Sequence, residues 1–125
     1  MAKILVVEDN PAGRGLVAAL LRARKHDTLE TANGVMALTS SRRERPDLII
    51  LDVMMPSMDG FEFLQLLRSD PEIADLRVIL HTSKYAEPET IAKAAALGVT
   101  TILPKGLTPG QLLDAVEKEL LVGAH

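Results

Sequence analysis

The chain has 125 residues, enough for one domain with a substantial core, and it carries a formal net charge of −3. This mild negative charge, with two Phe, one Tyr and no Trp, gives no basis for direct nucleic-acid binding. The lack of cysteine excludes disulfides and thiolate chemistry. The first apolar run is too short for a signal peptide or a membrane span, so we expect a single soluble, cytoplasmic domain with no membrane attachment.

Five short strand-like segments, of which residues 28–32 are poorly patterned, alternate with five segments of helical periodicity. The predicted strands are residues 4–7, 28–32, 48–51, 77–82 and 100–103. The predicted helices are residues 11–24, 35–43, 61–68, 88–97 and 109 to about 121, followed by a frayed tail. Short crossovers of this kind force the strands to be parallel, with helices on both faces of the sheet, so the fold class is α/β.

Several residues mark where the predicted elements begin and end. Asn10, followed by proline, predicts the start of the first helix, and Thr108 with Gln111 predicts a capping box on the last. Gly98 is the expected stop of the fourth helix. Pro104 removes a backbone donor, which predicts that the fifth strand lies at an edge of the sheet.

Polar side chains follow four of the predicted strands where each apolar run ends. Glu8 and Asp9 follow the first strand, Asp52 the third, Thr82 ends the fourth, and Lys105 follows the fifth. The carboxyl ends of parallel strands meet at one edge, which is where ligands bind in open α/β sheets. One acid at a strand end is usually a solvated turn residue, but five groups of complementary type at one edge indicate a functional cleft.

These residue types suit phosphoryl transfer. Three neighbouring carboxylates repel one another unless a cation compensates them, and Mg²⁺ prefers carboxylate and carbonyl oxygens. The carboxylate of Asp52 can attack phosphorus to form an aspartyl phosphate. Lys105 can supply positive charge and Thr82 a hydroxyl donor to the transferred group, a reaction that depends mainly on positioning and charge neutralisation.

The sequence resembles the receiver domain of two-component response regulators, the CheY-like family, over essentially its whole length. Four segments carry the resemblance: residues 6–10 (VVEDN), 51–60 (LDVMMPSMDG), 80–83 (LHTS) and 103–105 (LPK). The second segment is highly specific, whereas the others are specific in their order and spacing. The resemblance implies a flavodoxin-like fold with a five-stranded parallel sheet of order 2-1-3-4-5.

The resemblance also implies a role for each residue of the cleft. Asp52 would be the phosphoacceptor, and Thr82 and Lys105 would sense the phosphoryl group. The resemblance also implies an Mg²⁺ site, in which Mn²⁺ can substitute. Glu8 and Asp9 would hold the ion directly or through water, together with Asp52 and the backbone carbonyl of Met54.

Receiver domains of this family take the phosphoryl group from the phosphohistidine of a sensor histidine kinase or a histidine phosphotransfer protein. The implied output face, formed by the fourth helix, fifth strand and fifth helix, binds a downstream protein that the sequence does not identify. We expect one receiver domain with no output domain in the chain, and a monomer that can dimerise when phosphorylated. Such a domain catalyses its own phosphorylation and slow autodephosphorylation and is not a conventional enzyme.

Two positions depart from the family pattern. Ile102 stands where the fifth strand usually carries a Tyr or Phe that reports phosphorylation, so Tyr85 is a weaker candidate for that switch role. Gly106 stands where the family has a proline that follows a cis bond. A cis bond before glycine costs about 3 kcal/mol, so a rebuilt loop with a trans bond is expected.

Three further residues lie beside the cleft. Strand alternation predicts that His81 points away from it, as a semi-buried histidine with a backbone partner. Met54 and Lys84 come two residues after Asp52 and Thr82, respectively. We expect these two side chains to flank the path of water and to set the lifetime of the phosphoryl group.

Other functions remain as alternatives. Ile102 and Gly106 are compatible with a pseudo-receiver that binds proteins without phosphate. The glycines of residues 13–18 (GRGLVA) fit a dinucleotide-binding pattern, but they fall inside a predicted helix, and Glu8 and Asp9 would repel a pyrophosphate. Phosphatases and mutases with a nucleophilic Asp carry a second acid two residues later, where this chain has Met54.

Overall fold

The computed structural model describes residues 2–55 and 58–123, and all ten predicted elements are present in these ranges. The strands are β1 (Lys3–Val7), β2 (Asp27–Thr31), β3 (Leu48–Leu51), β4 (Val78–His81) and β5 (Ile102–Leu103). The helices are α1 (Pro11–Ala23), α2 (Gly34–Glu44), α3 (Gly60–Ser69), α4 (Pro88–Ala96) and α5 (Pro109–Gly123). No helix in the described ranges is long and apolar enough to cross a membrane.

The five strands form one parallel sheet of order β2-β1-β3-β4-β5. This order confirms the predicted flavodoxin-like fold, and β5 lies at an edge as Pro104 predicted. Val7 pairs with Leu51, and Leu51 pairs with Leu80. Since β1, β3 and β4 are therefore in register near their carboxyl ends, the polar residues after these strands reach the same edge of the sheet.

Each face of the sheet is covered by its own apolar layer. Helices α1 and α5 cover one face, where they pack against alternate strand residues such as Ile50 and Ile79. Helices α2, α3 and α4 cover the other, where they pack against residues such as Leu51 and Leu80. The side chains of β3 are almost fully buried, and each contributes about 1.5–3 kcal/mol through burial. The rigid central strand therefore fixes the position of Asp52.

Helix caps anchor the segments that leave the carboxyl edge. The side chain of Asn10 accepts hydrogen bonds from two amides at the start of α1, as predicted. Thr108 and Gln111 exchange hydrogen bonds at the start of α5, which confirms the capping box. Gly98 follows α4 with a φ of 76° and ends it as expected.

Some element boundaries differ from the predictions. Helices α2 and α3 begin at Gly34 and Gly60, one residue earlier than expected, because Asn33 and Asp59 cap them. Strand β5 has only two residues, and α5 extends to Gly123. The predicted turn residues 56–57 and the last two residues of the predicted tail lie outside the described residues.

Candidate functional site

Three carboxylates meet at the carboxyl edge of the sheet. Glu8 and Asp9 directly follow β1, and Asp52 directly follows β3 beside it. The amide of Asp52 donates to the carbonyl of Val7 at 3.1 Å, which continues the pairing of the two strands. One carboxylate oxygen from each of the three acids lies within 4.8 Å of those of the others. Glu8 and Asp52 are only 6% and 9% exposed, whereas Asp9 is exposed to solvent.

The backbone around Asp52 is held tightly. Its Oδ1 accepts a hydrogen bond of 3.0 Å from the amide of Met54. Behind it, a Cβ on Gly60 would lie 2.6 Å from the Cα of Val53 and 2.7 Å from the carbonyl oxygen of Asp52. Only glycine permits this close approach of α3 to the end of β3, so Gly60 helps to fix the carboxylate in place.

Lys105 follows β5, the outermost strand of the sheet, and brings positive charge to the three acids. Its Nζ donates a hydrogen bond to Oε1 of Glu8 and lies 3.4 Å from Oδ2 of Asp52. The lysine side chain is one-third exposed, while both carboxylates are nearly buried. A single ammonium group therefore forms ion pairs with two largely buried carboxylates.

The electrostatics of Glu8 show that this compensation is incomplete. Burial raises the pKa of Glu8, the hydrogen bond from Lys105 lowers it, and the neighbouring carboxylate of Asp52 raises it again, with a net increase. The donor set contains only oxygen, and two of its acids are largely removed from water. Such a cluster fits a hard divalent cation such as Mg²⁺.

Thr82 lies at the same edge but is bonded to its own loop and to β5. It is fully buried, its amide donates to the carbonyl of Leu103, and its Oγ1 accepts from the amide of Lys84 at 3.1 Å. In the ranges 2–55 and 58–123, no hydrogen bond joins Thr82 to the carboxylates. The Thr82 hydroxyl can still donate its own proton, because the bond to Lys84 uses an oxygen lone pair.

The orientation expected for His81 is wrong. Together with Glu8, Asp52 and Lys105, it lines a cavity of only about 10 Å³. Residue 81 lies on the same face of the sheet as Ile79, and Asp52 continues the face of Ile50, so both side chains point toward α1 and α5. Strand alternation relates the orientation of His81 only to that of Thr82, its neighbour in the chain. Its orientation relative to Asp52 depends on the pairing of β3 with β4, which places the two residues side by side.

His81 also lacks the expected backbone partner among the described residues. Burial lowers its pKa to about 4, and the charge of Lys105 contributes to the shift, while Asp52 opposes it. The imidazole is therefore neutral at pH 7.

Arg14 also contacts the site, although the sequence analysis did not indicate it. Its guanidinium donates a hydrogen bond of 2.8 Å to the backbone carbonyl of Glu8.

Met54 and Ser83 face each other across the mouth of the site. The hydroxyl of Ser83 lies 3.7 Å from the Sδ of Met54, in the geometry of a weak hydrogen bond. Met54 is 49% exposed, and Lys84 is also exposed. These side chains are thus in a position to affect the access of water to Asp52.

The two departures from the family pattern take distinct forms. Ile102 is partly buried and packs against the apolar layer under α2, α3 and α4. Tyr85, in the loop after β4, is 46% exposed. The bond between Lys105 and Gly106 is trans, as expected, and Gly106 adopts a φ of 92°.

Comparison with known proteins shows the family of the chain. Residues 4–117 match the family model of the response regulator receiver domain. The chain is 36% identical over 118 residues to sporulation initiation phosphotransferase F of Bacillus subtilis, a match that covers 94% of this chain and 93% of that protein. It is 33% identical over 91 residues to protein PilH of Pseudomonas aeruginosa, covering 73% and 75% of the two chains.

Solved structures give the same result. The structure of the chemotaxis protein CheY4 of Vibrio cholerae superposes with a TM-score of 0.88 at 32% identity, over 94% of this chain and 98% of that one. The family match, the relatives and the solved structure agree with one another and with the sheet order. The chain therefore belongs to the response regulator receiver domain family of two-component systems.

Proposed function

We propose that Asp52 accepts a phosphoryl group from the phosphohistidine of a sensor histidine kinase or a histidine phosphotransfer protein. The observation that carries this proposal is the convergence of Glu8, Asp9, Asp52 and Lys105 at one edge of the sheet. Among these three acids, Asp52 has its backbone fixed both by a central strand and by the close contact with Gly60.

In the proposed step, a carboxylate oxygen of Asp52 attacks phosphorus in line with the leaving imidazole nitrogen. The new O–P bond forms as the P–N bond breaks, and the bonding electron pair stays on the imidazole. The hydrogen bond from the amide of Met54 orients Asp52, and the 3.4 Å approach of Lys105 places positive charge beside the reacting carboxylate. Preorganised groups of this kind lower the barrier mainly through positioning and electrostatics.

Mg²⁺, or Mn²⁺ in its place, would neutralise the charge of the phosphoryl oxygens and of the acids. The residues that would hold it are Glu8, Asp9, Asp52 and the backbone carbonyl of Met54. The acids fit this role because their oxygens already lie within 4.8 Å of one another and burial with mutual repulsion raises the pKa of Glu8. Thr82 would donate its hydroxyl proton to the transferred phosphoryl group.

The signal would leave through α4, β5 and α5 to a downstream protein. Thr82 is joined directly to β5 by its hydrogen bond to Leu103, so a shift of Thr82 would reach that strand. Ile102 would transmit the change by packing, and the exposed Tyr85 offers a second route. On this proposal the phosphorylated chain can also use this face to dimerise.

The decisive experiment is incubation with acetyl phosphate, with and without Mg²⁺, followed by intact-mass measurement. We expect a Mg²⁺-dependent gain of one phosphoryl group that is lost in Asp52→Asn. The matched control is Asp114→Asn, which alters an exposed aspartate of α5 and should leave the gain unchanged. No gain in a protein that still binds Mg²⁺ would contradict the proposal and favour a phosphate-independent interaction module.

A further inference from the structure

Lys105 occupies a carboxylate that the metal would need. Its Nζ donates to Oε1 of Glu8, and this acid is one of the proposed ligands. The lysine thus supplies part of the positive charge that the acids require. Any factor that holds Lys105 on Glu8 competes for the same oxygen with a divalent cation, or with a water molecule bound to that cation.

The backbone directly after Lys105 has a conformation that few residues adopt. Gly106 has a φ of 92°, and a Cβ built on it would have no heavy atom within 4 Å. The surroundings therefore leave room for a side chain, and the constraint comes from the backbone alone. Proline, with φ fixed near −65°, cannot adopt this conformation, and other L-residues adopt it at a cost.

The segment on either side of Gly106 is anchored. Leu103 and Leu107 both pack against the apolar layer under α1 and α5, and Thr108 begins the capping box of α5. Between these fixed points the backbone has few ways to absorb a change. We therefore expect a different φ at Gly106 to displace its neighbour Lys105.

We propose that Gly106 is a positioning residue, whose left-handed backbone holds Lys105 on Glu8 and thereby weakens metal binding at the three acids. The inference rests on the proposed metal site and deepens it, because it assigns control of metal affinity to the loop after β5. Binding of a divalent cation then requires Lys105 to leave Glu8, with a change of φ at Gly106. The glycine favours the contact between Lys105 and Glu8 without any side-chain contact of its own.

The test is a calorimetric Mg²⁺ titration of the wild type, Gly106→Ala, Lys105→Ala and the double variant. Alanine disfavours the left-handed backbone, so Gly106→Ala should bind Mg²⁺ about fivefold more tightly. Lys105→Ala should also bind more tightly, because the competing ammonium is gone. In the Lys105→Ala background, Gly106→Ala should have no further effect, since the glycine acts through the lysine.

Two controls separate this role from a general effect on folding. Gly110→Ala adds a methyl group in equally open space within α5 and should leave Mg²⁺ affinity unchanged. Gly106→Asn, whose side chain tolerates positive φ better than alanine, should give an affinity between those of the wild type and Gly106→Ala. If Gly106→Ala is poorly folded, the Mg²⁺ affinity of Gly106→Asn is compared with that of the wild type instead.

An unchanged Mg²⁺ affinity in Gly106→Ala, together with a lower melting temperature, would overturn the inference. The glycine would then stabilise the loop equally with and without Mg²⁺. An equal effect of Gly106→Ala with and without Lys105 would overturn it too. Either result leaves the proposed function intact. Failure of both the wild type and Lys105→Ala to bind Mg²⁺ would instead reject the proposed metal site, and this inference with it.

Discussion

The pKa of a largely buried glutamate is shifted in opposite directions at the two ends of the sheet. At the carboxyl edge, Glu8, Asp9 and Asp52 share one lysine, and the pKa of Glu8 is raised. At the amino edge, Glu119 of α5 accepts hydrogen bonds from Thr101 and Arg77. Burial alone would raise the pKa of Glu119, but these hydrogen bonds outweigh burial and lower it.

Arg68 is also hydrogen-bonded within the protein at the amino edge. Its guanidinium donates to the carbonyl oxygens of Ala74, Leu76 and Leu97, at 2.9, 2.6 and 2.8 Å. It thereby ties the end of α3 to the segment before β4 and to the end of α4. Desolvation lowers the pKa of Arg68, so the charge is held in place by these bonds and not by exposure to water.

This difference separates a structural charge cluster from a functional one. At the amino edge, the carboxylate of Glu119 and the guanidinium of Arg68 are hydrogen-bonded within the protein, although Nε of Arg77 is buried without a partner among the described residues. Variants of Glu119 and Arg68 should therefore change stability and leave phosphorylation of the folded chain intact. The carboxyl edge leaves negative charge undercompensated, so its variants should change metal binding and phosphorylation. Substitutions at the two edges can test this division, from the largest expected effect to the smallest.

Gly60→Ala should have the largest effect on stability, because its Cβ would meet the backbone of Asp52 and Val53 at 2.6–2.7 Å. We expect a loss of about 3 kcal/mol in the free energy of unfolding, with slower phosphorylation of the folded fraction. Urea denaturation measures the first effect. Gly15→Ala is the control: it lies within α1 with no atom near its Cβ and should gain about 0.5–1 kcal/mol. Equal effects of the two variants would contradict the assigned contact.

Arg68→Leu should remove three hydrogen bonds to carbonyl groups at the amino edge. We expect a loss of about 2 kcal/mol in the free energy of unfolding, because partly buried carbonyls lose their donors. The matched control is Arg43→Leu, an exposed arginine at the end of α2, which should change stability by less than about 0.5 kcal/mol. A large loss of phosphorylation in folded Arg68→Leu would contradict a purely structural role for this arginine.

Glu119→Gln tests the pH dependence of the amino edge. Since the folded-state pKa of Glu119 is lowered, its contribution is present above the ordinary glutamate pKa and is lost as the pH falls below it. We expect the variant to be about 1 kcal/mol less stable at pH 7, after allowance for solvent screening, and the difference to shrink on acidification. Denaturation at several pH values measures it, with the exposed Glu87→Gln as control. A difference that grows on acidification would have the wrong sign.

Met54→Ala and Lys84→Ala test the mouth of the carboxyl edge. Removing the exposed Met54 side chain opens the path of water to Asp52, so we expect dephosphorylation to quicken by about threefold, roughly 0.7 kcal/mol in barrier height. Lys84→Ala should change the rate by a similar factor. Decay of the phosphorylated mass peak gives both rates, and the unfolding free energy should hardly change. Rates equal to that of the wild type would reject this role.

The sequence alone predicted the fold and the meeting of the acids, for a clear physical reason. Apolar runs that end in Glu8, Asp52 and Lys105 indicate parallel strands, and parallel strands bring the residues after their carboxyl ends to one edge of the sheet. The capping signals of Asn10 and Thr108 were equally local, and both are confirmed.

Features that depend on the register between strands were not predictable from local pattern. The orientation of His81 follows from its position relative to Asp52 on the neighbouring strand, and this requires knowledge of the pairing. The clamp formed by Arg68 joins three segments distant in sequence, and nothing around that arginine marks it as different from a surface residue. The contact of Lys105 with Glu8 spans 97 residues, so no local pattern indicates it.

The most direct test of the central claim is to locate the phosphoryl group. After incubation with acetyl phosphate and Mg²⁺, borohydride reduces an acyl phosphate to an alcohol and converts the modified aspartate to homoserine. Peptide mass spectrometry should then find homoserine at position 52 alone, and none without Mg²⁺. Homoserine at position 9, with Asp52 intact, would contradict the assignment of Asp52 as the phosphoacceptor.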